Sequence, residues 1–189
     1  MEEKYLIEET GFEGLRLIHP FFVCDERGYF MKTFERKPFL DKGIELELFE
    51  EITTYSRKGV IRGMHFQAEK AQDKYITVPY GCIYDVVVDL RKNSITFGQW
   101  KSFELSEENR LGLYIPKGFA HGFSVLSDEG AKVQYRCGEE YFPETENGIL
   151  WNDEDLRIEW KGVLEQPIIS QRDYNLLSFK DFQKKYGAL

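Results

Sequence analysis

The sequence has 189 residues, and its 25 basic and 33 acidic side chains give a net charge of −8 at pH 7. This length suits one domain with a sizeable core, while the negative charge argues against nucleic acid as a partner. No apolar run approaches the ~18 residues needed to cross a bilayer, and residues 1–4 begin no basic, apolar leader. We therefore predict a cytoplasmic chain without membrane attachment. The widely spaced Cys24, Cys82 and Cys137 favour reduced, mostly buried thiols over a disulfide framework.

The first half of the chain predicts short strands joined by turns. Residues 15–24 and 29–34 predict two strands around a turn-like Asp25-Glu26-Arg27-Gly28 segment. Residues 37–43 predict one helical turn that ends at a glycine, and residues 44–52 predict a further strand.

The second half is denser in strand signals. Six apolar runs, at residues 75–79, 82–90, 97–105, 111–115, 123–126 and 131–137, are separated by polar or glycine-containing turns. Many short strands at regular spacing indicate an all-β sandwich or barrel. Ser106 predicts the cap of a brief helical turn, and Ser178 with Asp181 predicts the start of a C-terminal helix.

The stretch Gly59 to Gln67, which reads G-V-I-R-G-M-H-F-Q, is the first candidate site. Strand alternation would send Arg62 and His65 to opposite faces unless Gly63 interrupts the pleat. A glycine inside an apolar run is a usual place for a bulge or a close backbone approach, so we predict that these side chains converge with Gln67. A packed, hydrogen-bonded histidine is the other interpretation, and the residues alone leave both open.

A second stretch, residues 113–123, contains the pattern P-x-G-x-x-H that ends at His121. Together with His65, this order resembles the cupin double motif of small β-barrels. A cupin metal site normally needs about three imidazoles and a carboxylate. Here Gln67 replaces the second histidine, and residues 71–72 are not acidic. We therefore predict no metal and no cofactor, because too few ligands remain.

Six blocks in the same order resemble the nucleotide-sugar 3,5-epimerases, over about residues 13–174. The blocks are D-E-R-G-Y-F (25–30), G-V-I-R-G-M-H-F-Q (59–67), D-V-V-V-D-L-R-K-N-S-I-T-F-G-Q-W (85–100), Y-I-P-K-G-F-A-H-G-F-S-V-L-S (114–127), Y-F-P-E-T-E-N-G-I-L-W-N-D (141–153) and I-S-Q-R-D (169–173). The resemblance implies an all-β, double-stranded β-helix (jelly-roll, cupin-like) barrel with short peripheral helices and a C-terminal helix. It implies one domain over residues 1–189, with its core at about 13–174 and a helical tail at about 176–189. It also implies a homodimer in which strands are shared between subunits.

The implied activity is that of an isomerase acting on a nucleotide-diphospho-4-keto-6-deoxy sugar. Inversion of C3, C5 or both requires removal of a proton from one face and return of a proton to the other, through an enolate. By similarity His65 is the base, oriented by Asp173, and Tyr135 is the acid on the opposite face. Lys74 is assigned to the C4 oxygen, because the developing anion needs positive charge. The product would supply deoxysugar for a cell-surface glycan.

Further family positions imply contacts with the substrate. Guanidinium groups fork onto diphosphate oxygens, and an aromatic ring with a carboxylate suits a nucleoside. The predicted substrate-binding residues are Arg27, Arg62, Gln67, Asp85, His121, Tyr141, Glu146 and Arg172. Other interpretations stay open for several candidates: a surface residue at Asp173, a core residue at Tyr135, a solvated edge residue at Lys74 and a structural hydrogen bond between Asp85 and His121.

The chain departs from the family where the substrate's identity is expected to be determined. Glu50-Glu51-Ile52 stands where the dTDP-rhamnose enzymes commonly have Gln-Asp-Asn, and Lys32 replaces a glutamate. These changes exchange donors for acceptors and reverse a charge, and they could pair Lys32 with Glu50. A single-site epimerase acting on a CDP or GDP sugar is therefore an alternative. A metal-dependent cupin oxygenase or isomerase is disfavoured by ligand count, and a non-catalytic sugar-nucleotide binding module by the retained catalytic residues.

Overall fold

The computed structural model describes residues 5–189, so residues 1–4, on which the leader prediction rests, lie outside the described residues. The strands are β1 (Leu6–Glu9), β2 (Arg16–His19), β3 (Phe21–Asp25), β4 (Gly28–Lys32), β5 (Glu50–Ser56), β6 (Ile61–Gln67), β7 (Lys74–Tyr80), β8 (Cys82–Asp89), β9 (Trp100–Ser106), β10 (Gly112–Ile115), β11 (Phe119–Val125), β12 (Ala131–Cys137) and β13 (Glu146–Gly148). The helices are α1 (Arg36–Asp41) and α2 (Phe179–Tyr186), and a 3-10 turn covers Asp173–Asn175. Neither helix is long or apolar enough to cross a bilayer, and the described residues contain no other candidate.

Two antiparallel sheets face each other. One has six strands in the order β1-β2-β10-β7-β12-β5, and the other has five in the order β13-β6-β11-β8-β9. Among the strands of residues 5–189, β3 and β4 pair only with each other, as a separate hairpin. The core between the sheets takes Ile76 and Val133 from the six-stranded sheet and Val87 and Phe123 from the five-stranded sheet. The predicted all-β jelly roll is confirmed.

Each sheet is also covered over part of its outer face. Phe182 of α2 is fully buried, with its ring 5.3 Å from that of Phe66 in the five-stranded sheet. Phe39 of α1 packs in the same way on Tyr75 of the six-stranded sheet, at 5.3 Å. Because α2 covers the outer face of the five-stranded sheet, β8 is buried on both faces and reads as a continuous apolar run.

The predicted C-terminal helix is confirmed, and its cap is the expected one. The Ser178 hydroxyl accepts a hydrogen bond from the Asp181 backbone N–H at 3.1 Å and donates to the Asp181 carboxylate at 2.7 Å. The turn at Ser106 is confirmed too, since its hydroxyl accepts from the Asn109 backbone N–H.

Several strand boundaries differ from the prediction. The run 15–24 divides into β2 and β3 at Pro20, whose ring removes a ladder donor. The predicted strand 44–52 was wrong over residues 44–49, because Ile44 is buried beside α1 and bonds to the Phe39 carbonyl instead of to a strand. Strand β11 begins at residue 119 rather than 123. The short strands β1 and β13 were missed.

The three cysteines are free thiols. Cys137 is buried and Cys82 is partly buried, but Cys24 is exposed. The expectation of mostly buried thiols was therefore wrong for Cys24, because the β3–β4 hairpin is not covered by either sheet.

Candidate active site

A bulge in β6 brings two of the predicted side chains to one face. Residues 62–65 of β6 lie opposite residues 121–123 of β11, so three steps along β6 match two along β11. The extra residue is at Gly63, where φ is +117° and an added Cβ would come within 2.5 Å of the Gly122 Cα. Arg62 and His65 consequently line the same cavity, as the glycine predicts.

Asp173 lies directly behind His65. The His65 Nε2 atom is 2.8 Å from Asp173 Oδ1, while Oδ2 accepts a hydrogen bond from the Gly63 backbone N–H at 3.2 Å. Burial would raise the pKa of this carboxyl group, but the hydrogen bond from His65 and the donors of Gly63 and Ser170 hold the pKa below its usual value. The pair leaves His65 Nδ1 as the nitrogen with a free lone pair.

The opposite wall of the cavity belongs to the six-stranded sheet. Tyr135 of β12 and Lys74 of β7 lie on adjacent strands, because Tyr135 is opposite Ile76 and Cys137 is opposite Lys74. Burial raises the pKa of Tyr135, and the nearby Asp85 carboxylate raises it further. Lys74 forms no ion pair with any described residue, so its ammonium group is available to the cavity.

A second histidine–carboxylate pair lies beside the first. His121 is the cross-strand neighbour of His65, and its Nε2 atom is 2.7 Å from Asp85 Oδ2. Asp85 is fully buried, which raises its pKa although His121 opposes the rise. The Asp85 Oδ1 atom is buried without a hydrogen-bond partner among residues 5–189.

The cavity between these walls has a volume of about 240 Å³. Its lining combines cationic, imidazole and hydroxyl groups with a few apolar side chains. The lining residues are Ile52, Thr54, Arg62, His65, Gln72, Lys74, His121, Gly122, Phe123, Tyr135, Cys137, Tyr141 and Glu146. Thr54, Gln72, Gly122, Phe123 and Cys137 were not predicted as site residues. Ile52 and Thr54 are two positions apart on β5 and therefore share a face of the sheet. This spacing could have identified Thr54 from the predicted position of Ile52.

Three residues form a polar cluster at the rim. Arg172 Nη2 is 2.5 Å from Glu146 Oε2, and the Tyr141 hydroxyl donates to the same carboxylate. The bond to Glu146 raises the pKa of Tyr141. The Arg172 charge is thus largely neutralised by Glu146 within one chain.

Two predicted substrate contacts lie away from the cavity. Arg27 is at the tip of the β3–β4 hairpin, where its side chain is 85% exposed and pairs with Asp25. Gln67 is buried, and its amide donates to the Lys70 and Glu140 carbonyls and accepts from the Phe142 N–H. Its polar atoms therefore hold the loops at the end of β6.

The predicted pairing of Lys32 with Glu50 was wrong. Lys32 Nζ pairs with Glu35 at 2.9 Å, because the two residues are close along the chain. The Glu50 carboxylate instead accepts from the Tyr141 backbone N–H at 2.9 Å. Glu50 therefore fixes the segment that carries Tyr141, and Ile52 alone of these positions lines the cavity.

A larger groove of about 620 Å³ lies between α1 and residues 44–48. It is lined by apolar and charged side chains but brings no histidine or tyrosine together, so it is not the candidate site. Within residues 5–189, no three histidine, cysteine, aspartate or glutamate side chains are placed to hold one metal ion. The use of no metal or cofactor stays a prediction.

Comparisons with known proteins agree with this geometry. Residues 9–181 match the sequence profile of the dTDP-4-dehydrorhamnose 3,5-epimerase family. The dTDP-4-dehydrorhamnose 3,5-epimerase of Methanothermobacter thermautotrophicus is 47% identical over 168 residues, which cover 88% of this chain and 90% of that protein. The enzyme of the same name from Shigella flexneri is 42% identical, over 92% of this chain and 95% of that protein. The crystal structure of dTDP-6-deoxy-D-glucose-3,5-epimerase from Legionella pneumophila in complex with dTDP-4-keto-L-rhamnose is 38% identical, has a TM-score of 0.91 and covers 96% of each chain. The chain belongs to the dTDP-4-dehydrorhamnose 3,5-epimerase family of isomerases.

Proposed function

We propose that the chain epimerises a dTDP-4-keto-6-deoxy sugar at C3 and C5, in the supply of deoxysugar for a cell-surface glycan. One observation supports this most strongly. His65 of the five-stranded sheet, paired with Asp173 of the 3-10 turn, faces a tyrosine and a lysine of the six-stranded sheet across one cavity. Inversion at carbon needs a base on one face of the sugar ring and an acid on the other, and this arrangement supplies both.

His65 acts as the base in this proposal. Its Nδ1 lone pair takes the proton beside the 4-keto group, and the imidazolium that forms is stabilised by the Asp173 carboxylate 2.8 Å from Nε2. The electron pair of the broken C–H bond moves into the enolate, whose negative oxygen takes the unpaired Lys74 ammonium as its partner.

Tyr135 returns a proton from the opposite wall. Because burial raises the pKa of its phenol, Tyr135 keeps its proton at neutral pH and can give it to the more basic enolate carbon. The C–H bond forms on the face opposite His65, which inverts the centre. In this proposal His121, which bonds to Asp85, contacts a sugar hydroxyl between the two walls.

The nucleotide diphosphate extends from the cavity to the rim in this proposal. A cavity of about 240 Å³ suits a hexose ring rather than a whole nucleotide sugar. Arg62 stands beside His65 for the diphosphate, while Tyr141 and Glu146 at the rim suit a nucleobase by stacking and hydrogen bonding. Gln67 contributes to substrate binding indirectly, because its amide bonds to the Glu140 carbonyl and the Phe142 N–H and so holds the loop that carries Tyr141.

The β3–β4 hairpin supports a homodimer. Tyr29 and Phe30 are 68% and 56% exposed, and Val23 is 47% exposed, on a two-stranded ribbon that pairs with neither sheet. Two strands alone are marginally stable, so a second subunit is the natural cover, and its approach would also give Arg27 a place near a diphosphate. Sedimentation should give a dimer for the wild-type chain and a monomer for Tyr29→Lys combined with Phe30→Lys. The single-domain organisation and the cytoplasmic location are part of the same proposal.

Epimerisation at one carbon, or of a CDP or GDP sugar, is the second candidate. Ile52 favours it, because an apolar side chain lines the cavity where the dTDP-rhamnose enzymes commonly have an asparagine. Loss of an amide at this position removes a donor and an acceptor from the substrate site.

Incubation in heavy water tests both candidates. With dTDP-4-keto-6-deoxyglucose, NMR should show deuterium entering at C3 and C5 together with the inverted product. Exchange at one carbon, or only with the CDP or GDP analogue, would select the second candidate. Exchange at neither carbon with any of the three sugars would refute the activity.

Variants assign the steps. His65→Ala should abolish exchange, whereas Tyr135→Phe should slow epimer formation more than exchange. Equal losses of both in Tyr135→Phe would count against its assignment as the acid. Activity should also survive exhaustive chelation, and a stoichiometric divalent ion needed for turnover would favour the metal-dependent alternative.

A further inference from the structure

Thr54 is the diagonal neighbour of Tyr135 on the cavity face of the six-stranded sheet. Strand β5 pairs with β12 so that Ile52 lies opposite Tyr135 and Thr54 lies opposite Val133. Residues two positions apart on a strand share a face, and a long side chain reaches its diagonal partner. Both Thr54 and Tyr135 line the cavity.

The Thr54 hydroxyl has no hydrogen-bond partner in the described chain. Its Oγ1 atom is buried, and a buried hydroxyl without a partner is costly. The Tyr135 hydroxyl likewise forms no hydrogen bond of normal distance and angle with any of residues 5–189. Burial dominates the rise in the pKa of Tyr135, and hydrogen bonding from the nearby Thr54 hydroxyl, although outside normal hydrogen-bond geometry, opposes that rise. The two hydroxyls thus face each other beside the cavity, and neither bonds to a third residue of the described chain.

We propose that Thr54 is a positioning residue for Tyr135. The Thr54 hydroxyl donates a hydrogen bond to the phenol oxygen of Tyr135 and so directs the phenol proton into the cavity. The inference rests on the proposed assignment of Tyr135 as the acid. When the phenol oxygen of Tyr135 accepts a hydrogen bond from Thr54, the phenol O–H points towards the substrate. Proton delivery requires this orientation.

The same hydrogen bond becomes stronger as the proton leaves. The phenol O–H bond breaks, a C–H bond forms on the sugar, and the electron pair stays on the phenolate oxygen. That oxygen is buried near the Asp85 carboxylate, which raises the free energy of a second negative charge, although Arg62 opposes this effect. The Thr54 hydroxyl keeps its own proton and donates to the phenolate until a solvent proton restores the phenol.

Three variants test the proposal in the full-length chain. Thr54→Val keeps the shape and removes the donor, Thr54→Ser restores it, and Thr53→Val makes the same change on the exposed face of β5. In heavy water, Thr54→Val should slow epimer formation about 10- to 100-fold, as expected for loss of a hydrogen bond to a developing charge. Deuterium exchange through His65 should fall much less. Thr54→Ser should recover most of the rate, and Thr53→Val should match the wild type.

A double mutant separates positioning from packing. Adding Thr54→Val to Tyr135→Phe should cause no further loss of epimer formation, because the phenol oxygen that Thr54 serves is already absent. A full further loss, or equal falls in exchange and epimer formation in Thr54→Val, would overturn the proposal. A rate of epimer formation in Thr54→Val equal to that of the wild type would also overturn the proposal. If Thr54→Val does not fold, Thr54→Ala takes its place, and its rate of epimer formation is compared with its rate of deuterium exchange in the same way. Because wild type and Tyr135→Phe are measured together, failure of the Thr54 proposal is distinguishable from failure of the proposed activity.

Discussion

Replacement of Asp173 by asparagine should disable His65 with little change in the shape of the site. The Gly63 N–H donates to Asp173 Oδ2, so the amide oxygen of the variant would occupy that position. The amide nitrogen would then face His65 Nε2 and donate to it. This arrangement reverses the tautomer and places the proton of the neutral imidazole on Nδ1, the nitrogen proposed to act as the base.

The loss of charge has a separate effect of similar direction. The carboxylate is 3% exposed and stands 2.8 Å from the imidazole nitrogen, so the two charge centres of the ion pair are roughly 4 Å apart. At an effective dielectric constant of about 20, such a pair is worth about 4 kcal/mol, which corresponds to roughly a thousandfold in rate. We expect Asp173→Asn to lower turnover by about this factor or more.

The assay is deuterium exchange and epimer formation measured on the same sample. Both should fall together in Asp173→Asn, because His65 initiates both, whereas Tyr135→Phe should separate them. Asp128→Asn, a change at a 79% exposed carboxylate that pairs with Lys58, is the matched control and should leave both rates unchanged. Exchange within threefold of wild type in Asp173→Asn would refute the assignment of this carboxylate as the partner of the base.

Three predictions concern stability. Gly63→Ala should lower the free energy of unfolding by about 2–4 kcal/mol, because a Cβ would lie 2.5 Å from a neighbouring backbone carbon. Gly28→Ala, at a similar φ but with no atom within 4 Å, should cost clearly less, and equal costs in thermal melts would contradict the crowding argument. Burial raises the folded-state pKa of Asp85 above the ordinary value of 3.8, so the wild type loses stability as the pH rises above that value and the buried carboxyl group ionises. The stability of Asp85→Asn relative to the wild type should therefore improve as the pH is raised, and a difference that stays constant with pH would count against a buried charge. Ser178→Ala should cost about 1 kcal/mol through loss of the α2 cap, and no change in the melting temperature would show that the cap is not needed.

Local patterns in the sequence predict much of this fold. Short apolar runs bounded by turn residues identify the strands from β7 to β12, and Ser178 with Asp181 marks the start of α2, because these signals depend on neighbours along the chain. The same reasoning fails at residues 44–49, where Ile44 and Leu46 pack beside α1 without a partner strand. Apolar spacing shows that a segment is buried, but not whether a ladder partner is available.

The sequence by itself determined the family blocks, the candidate residues and the interruption at Gly63 that brings Arg62 and His65 to one face. The family resemblance implied some of their groupings, but only the tertiary structure gave the distances and the contacts. It set His65 with Asp173 against Tyr135 with Lys74 across the cavity, and it gave Glu50 to the Tyr141 backbone rather than to Lys32. It also placed the buried Thr54 hydroxyl beside Tyr135. The physical reason is that strand register and the facing of two sheets depend on contacts between residues far apart in the chain, which local spacing does not specify.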